Sequence, residues 1–257
     1  MLYRSSSDHG QTWSDAKEIE QGNAGFSFNR KWGLRADPNS DNLYVVWYGT
    51  PDPRATRPQA DRDIYMRMSY DSGRTWSDRV LINTDAELAD VQHYYPNISI
   101  APNGRLDVAW FDGRHSPMPE IDLPSGNNGG FQDVYYRYSL DGGRTFSDEI
   151  KVTDRMIDRR YGVWSINTHI HAPVGMVSTD DTVYLTWQDS RNGTHDGSAE
   201  DVYFATVRMH GTPVAAGDVE DDDSGVPRPL LIGAGLAGGM GLAMLVLFAI
   251  SRRSRAA

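Results

Sequence analysis

The chain has 257 residues, room for one large domain or two ordinary ones, and 25 Lys+Arg against 35 Asp+Glu give it a formal net charge of -10. That balance leaves no basic surface for gripping a phosphate backbone and excludes nucleic acid as a partner. With no cysteine there is no disulfide framework, thiolate metal site or thiol nucleophile, while 25 Gly, 13 Pro, 13 Tyr, 7 Trp and 7 Phe favour turns and half-buried pleated surfaces, the signature of an all-β chain.

Residues 1–22 open with the first copy of a short motif, Ser6-Ser7-Asp8-His9-Gly10-Gln11-Thr12-Trp13. It recurs as Ser69-Tyr70-Asp71-Ser72-Gly73-Arg74-Thr75-Trp76 and as Ser139-Leu140-Asp141-Gly142-Gly143-Arg144-Thr145-Phe146, at spacings of 63 and 70 residues. The residue types suit a locked turn. The carboxylate of Asp8, Asp71 or Asp141 accepts N–H bonds of its own turn, Gly10, Gly73 or Gly143 supplies a positive φ, and Trp13, Trp76 or Phe146 packs back on the sheet. These nine positions are expected to be structural and not catalytic.

Between the motifs, strands repeat in step. Leu43 to Trp47, Leu106 to Trp110 and Val183 to Trp187 each end in Trp and follow a turn-rich stretch. After a loop come Asp63-Ile64-Tyr65, Asp133-Val134-Tyr135 and Asp201-Val202-Tyr203. Two hairpins, hence four strands, make each unit. The units run 23–90, 91–155 and 156–210, behind a half-unit at 1–22; the third lacks its last lock, because Met209 stands where Asp71 does. About three and a half units of this length fit a β-propeller, whose closed forms use roughly 4 to 8 blades. Met1 aligns with Ile64 and Val134, so the chain opens inside a strand, and the reading is an N-terminally incomplete propeller.

Residues 211–229 form an acidic, Pro- and Gly-bearing linker. Leu230 to Ile250 is uncharged and long enough to cross a bilayer as one helix, which needs about 20 residues. Arg252, Arg253 and Arg255 in the tail 251–257 place the C-terminus in the cytoplasm and the propeller outside. No export signal follows Met1, so this topology expects more chain upstream. Gly235 and Gly239 form a small-xxx-small pair that could join two such helices in a homodimer.

The three motifs resemble the Asp-box, or bacterial neuraminidase, repeats of sialidase-like β-propellers, a likeness covering most of residues 1–210. The resemblance implies blades of four strands, with the boxes at the end opposite the ligand cavity. It is a marker of fold more than of activity, since such boxes occur in sialidases, in other glycoside hydrolases and in non-enzymatic propellers. Sialidases of this kind hold a substrate carboxylate with three arginines and attack with a Tyr activated by Glu, with Asp as acid and base; the Arg-Ile-Pro motif that carries their first arginine is missing here.

A second repeat lies in the loops after the Trp strands: Asp52-Pro53-Arg54, Asp112-Gly113-Arg114 and Asp189-Ser190-Arg191. Arg54, Asp112, Arg114, Asp189 and Arg191 are the ligand-binding candidates, because guanidinium groups converging on one face could bind an acidic glycan bidentately; the competing reading is a local Asp–Arg pair that shapes each loop. Asp63, Asp133 and Asp201 are expected to cap the same loops. Tyr161, Trp164, His169 and His171 could offer an aromatic sugar platform or, through His169 and His171 on one side of a strand, a metal pair, and the loop from His115 to Gln132 reads as a lid or as a tolerated insertion. Asn97-Ile98-Ser99 and Asn192-Gly193-Thr194 match the glycosylation sequon. No metal or cofactor is expected. The expected function is a membrane-anchored extracellular propeller that binds a glycan or protein ligand; the alternatives are a retaining exo-α-sialidase and a surface scaffold or adhesion protein that binds through no dedicated site.

Overall fold

Alternating apolar residues and turn signals produce strands alone: among the described residues of the computed structural model there is no helix. Described are residues 1–20, 32–51, 62–85, 87–88, 91–117, 130–159, 173–193 and 200–209, together with the backbone of two short strands nearer the C-terminus.

A two-stranded hairpin, β1 (Leu2–Tyr3) and β2 (Lys17–Glu18), opens the chain. The first full sheet is β3 (Trp32–Ala36), β4 (Leu43–Gly49), β5 (Asp63–Ser69) and β6 (Val80–Leu81), antiparallel and in sequence order. The second is β7 (His93–Ile100), β8 (Leu106–Asp112), β9 (Phe131–Ser139) and β10 (Ile150–Lys151), with β11 (Ile157–Asp158) returning to the start of β9. The third is β12 (Gly175–Ser178), β13 (Thr182–Asp189) and β14 (Asp201–Arg208). Antiparallel order puts the boxes at one end of the sheets and the D-x-R loops at the other.

Period-two alternation decides what each face buries. On β4 and β5, Tyr44, Val46, Tyr48, Ile64, Met66 and Met68 point into the main core, while Val45, Trp47 and Tyr65 point the other way into a smaller cluster with Ile19, against which Met1, Tyr3 and Trp76 pack. The N-terminal hairpin therefore covers the back of the first sheet. All seven residues of β8 are buried, because the second sheet is covered on both faces. On β13 and β14, Val183, Leu185, Trp187, Tyr203, Ala205 and Val207 face the core, and the alternate residues face out.

The C-terminal region differs from expectation where it is described. At the two ends of the apolar run, β15 (Pro229–Leu231) and β16 (Leu245–Ala249) are extended and pair antiparallel with each other, and β16 pairs with β14. β16 thus stands where β6 and β10 stand on the first two sheets. With the last box lost, no local hairpin closes β14, and its unpaired edge accepts a β-prone apolar segment. Among the described residues no helix is long and apolar enough to cross a membrane. Residues 232–244, Gly235 and Gly239 included, and the tail 251–257 lie outside the described residues.

Candidate functional site

The three boxes share one geometry. The Asp8, Asp71 and Asp141 Oδ1 atoms accept the amide N–H of Thr12, Thr75 and Thr145 at 2.9, 2.8 and 2.9 Å. The threonine hydroxyls donate to the second carboxylate oxygen at 2.5, 2.6 and 2.6 Å. Ser6, Ser69 and Ser139 accept the N–H of Gly10, Gly73 and Gly143, each at 2.8 Å. The glycines hold φ of 85, 82 and 87°, closed to most side chains. The threonine bonds pull all three Asp carboxyls down to about 2. Carboxylates bonded in this way stay ionised, so the boxes have no proton to give, and the oxygens that accept these bonds face into the turn. The aromatics differ: Trp76 packs edge-on against Tyr3 at 5.6 Å, Phe146 lies under Arg137, and Trp13 is 56% exposed with its indole N–H donating to the Gly10 carbonyl.

At the opposite end the D-x-R loops repeat a second geometry. Trp110 and Trp187 donate their indole N–H to Asp112 and Asp189, both at 3.0 Å. Asp112 accepts the Arg114 amide at 2.9 Å and its guanidinium at 2.7 and 3.0 Å; Asp189 accepts the Arg191 amide and Nε, both at 2.8 Å. Each guanidinium lies 4.3 Å from a tyrosine ring, Arg114 over Tyr135 and Arg191 over Tyr203. Each arginine then reaches the exit of the preceding sheet or its own. Arg114 bonds Glu149 at 2.6 Å and approaches Asp85 at 3.1 Å, and Arg191 bonds Asp154. The pairs therefore staple the loop end of one sheet to the chain leaving its neighbour. Arg54 lies outside the described residues, as do Tyr161, Trp164, His169, His171 and most of the stretch 115–132.

The remaining Asp positions have partners too. Asp63 accepts from Tyr65 at 3.1 Å and Asn83 at 2.9 Å; Asp133 accepts from Thr153 at 2.6 Å and pairs with Lys151 at 3.0 Å. Asn83 and Thr153 in turn accept the N–H of Ile64 and Val134, so the same device caps the third strand of both sheets. Of the two sequons, the Asn97 side chain is tied to the Val174 carbonyl and the Ile98 amide inside the fold, whereas Asn192 is exposed in a turn.

Sequence reasoning passed over the group at the centre of this end. His93 of β7, 1% exposed, directs Nδ1 at the Arg62 carbonyl at 2.5 Å and Nε2 at Asp85 and Asp112, at 3.0 and 3.2 Å. Asp85, His93 and Asp112 offer ligand atoms within 4.8 Å of one another, the spacing of a metal site. The donor set speaks against one. A carbonyl and two carboxylates only accept, so both ring nitrogens carry protons and the imidazolium has no lone pair left for an ion. Burial alone pushes the imidazole down, but the Asp112 and Asp85 carboxylates overcome it and hold His93 up to about 10. In return, His93 and Arg114 hold Asp112 well below the usual carboxylate range against its own burial. A histidine directly before the tyrosine pair Tyr94-Tyr95 was the available signal.

Arg62, whose carbonyl His93 binds, extends its guanidinium between Tyr48 and Tyr94, 5.9 and 5.7 Å from the ring centres. Beside them Tyr95 holds φ 47° at a β-bulge between Tyr94 and Asn97. An aromatic residue in the left-handed region costs about 1–3 kcal/mol, the kind of strain that re-aims side chains at binding sites. The result is a half-buried guanidinium seated on buried tyrosine rings, with Tyr48, Tyr94 and Tyr95 only 4, 2 and 5% exposed, at the loop end of the first two sheets.

No family model matches the sequence, and no curated protein sequence does. Among solved structures the chain is similar to an alpha-L-arabinanase of Penicillium chrysogenum complexed with arabinobiose, at 16% identity and a TM-score of 0.46, over 73% of this chain and 49% of that one. The chain thus spans about half the length of that structure.

Proposed function

We propose that the protein is a membrane-tethered, sialidase-like β-propeller of the Asp-box type that binds a glycan or protein ligand at the loop end of its sheets. One observation carries the reading: the self-bonded boxes gather at one end, while the Arg62 guanidinium, seated on the buried rings of Tyr48 and Tyr94, stands at the other beside loops held by buried ion pairs. The Arg62 guanidinium is the group that meets an acidic substituent, and the buried tyrosine rings beneath it hold it in place. Arg114 and Arg191 act here as positioning residues that fix the loops, and Arg62 as the contact to ligand. The uncharged run from Leu230 to Ile250 serves as the anchor; in a bilayer its backbone must bond within itself, so insertion exchanges the β14 pairing for a helix.

The full chain in detergent, applied to a glycan array and to a fluorogenic sialoside, tests the proposal. The expected outcome is saturable glycan binding without turnover, lowered at least tenfold in Arg62→Ala at an unchanged unfolding midpoint. Turnover assigns the chain to the sialidase reading instead, and silence in both assays to the scaffold reading. Resistance of the membrane-bound chain to alkaline carbonate extraction, lost when residues 230–250 are deleted, tests the anchor.

A further inference from the structure

We propose that the outward face of the third sheet is an interface with a second copy of this chain. The second sheet is covered on both sides, but the third is covered on one. Its other face presents Val177 at 63%, Tyr184 at 38% and Val202 at 68% exposure, with Tyr184 stacked on Phe204 at 6.0 Å. Val177 stands opposite Tyr184, and Thr186 opposite Phe204, so these side chains form one continuous patch across β12, β13 and β14. Contiguous apolar surface of this kind on a folded sheet marks a contact site.

Charge selects the occupant. The face is acidic at one end, where Glu200, bonded by Gln188, precedes β14, and carries an exposed Arg208 at the other, beside Asp181. Eight residues of strand separate these ends by about 23 Å at ~3.3 Å per residue. A two-fold axis lying between the two faces, across the strands over Phe204, reverses the strand direction in the partner, and so sets each Arg208 against the other copy's Glu200 while the apolar centres meet. The acidic end also holds a cleft of about 470 Å³, lined by Gly175, Thr186, Gln188, Glu200 and Val202 among others, a recess for a long guanidinium side chain. The patch is thus complementary to itself, as an isologous contact requires. This contact uses no residue of the ligand site.

The chain has no cysteine, so one introduced thiol is a clean probe. In the full chain, solubilised in mild detergent, Tyr184→Cys is expected to form a disulfide-linked dimer under gentle oxidation, and Val177→Cys gives the same reading if that variant folds badly. Analytical ultracentrifugation should find twice the chain mass, falling to one chain mass in Arg208→Glu and returning to two in Arg208→Glu with Glu200→Arg. Gly235→Leu with Gly239→Leu should leave the dimer intact. A wild-type chain of single mass overturns the proposal. So does a Tyr184→Cys variant whose thiol neither crosslinks nor reacts with a small alkylating reagent, since another segment or protein then covers the face.

Discussion

At the box end, three turns separated by 63 and 70 residues repeat the same bonds between residues four apart; at the loop end, Arg114 reaches Asp85 across 29 residues and Arg191 reaches Asp154 across 37. The first kind of bond forms with little chain to order, tolerates exposure and is copied unchanged from unit to unit. The second joins sheets, removes charge from water and depends on every member being present. Local locks and long-range staples should therefore fail differently, in size and in pH.

The largest effect is expected at His93. His93→Ala leaves the buried Asp85 and Asp112 with Arg114 as the one cation they share, a loss of about 3–5 kcal/mol that urea unfolding measures directly. The same residue sets an alkaline limit. Its folded pKa is raised, so the stability it contributes is complete below the unfolded value of about 6.5 and is lost as pH rises towards about 10. Wild-type protein should lose stability across that window and His93→Ala should not; an identical slope in both would place the alkaline limit elsewhere.

Smaller effects are expected at the box. Ser139 is 1% exposed and accepts the Gly143 amide, so Ser139→Ala orphans a buried donor and should cost about 1–3 kcal/mol. Gly143→Ala adds a Cβ at φ 87° that meets Met68 Sδ at 2.8 Å, whereas Gly104→Ala adds one at φ 86° with nothing within 4 Å. Both variants bear the left-handed cost of about 1–2 kcal/mol. The excess in Gly143→Ala, read from the difference in denaturation midpoints, isolates how firmly the box is packed on the first sheet.

The same division governs what the sequence made legible. The locks were readable because donor, acceptor and glycine sit within one short word that recurs; the strands Leu43 to Trp47, Leu106 to Trp110 and Val183 to Trp187 were readable because each recurs with a closing Trp behind a turn-rich stretch. Asp112 and Arg114 could be seen as a pair but not assigned, since a carboxylate beside an arginine reads alike whether the guanidinium awaits a ligand or reaches Glu149. His93 could not be found at all from spacing. Asp85 lies eight residues before it and Asp112 on the next strand, and only the folded sheet order brings them together. The C-terminal run shows a third limit: a segment apolar enough to enter a bilayer also suits an open sheet edge, and composition alone does not choose between bilayer and β14.

The smallest effect, and the one that most sharply separates the two ends, lies in acid. The box carboxyls of Asp8, Asp71 and Asp141 are held at about 2 by threonine bonds, below an unfolded value of about 3.9. Depressed pKa values contribute stability above the unfolded value and lose it as pH falls from about 4 to about 2. These groups stand in solvent, where the gain per box is modest, so the limb should be shallow. Thr145→Val removes the hydroxyl donor at Asp141 and should flatten one third of it, while leaving the alkaline limb of His93 untouched. Carboxyl titration by NMR reads the same change at the residue, as an upward move of the Asp141 pKa towards the unfolded value with Asp8 and Asp71 unmoved. Should all three move together, the boxes form one coupled rim and not independent locks, and the contrast between local and long-range bonding fails at that end. The Tyr70 hydroxyl, donating to the Gly142 carbonyl at 3.0 Å, is the contact through which such coupling would run.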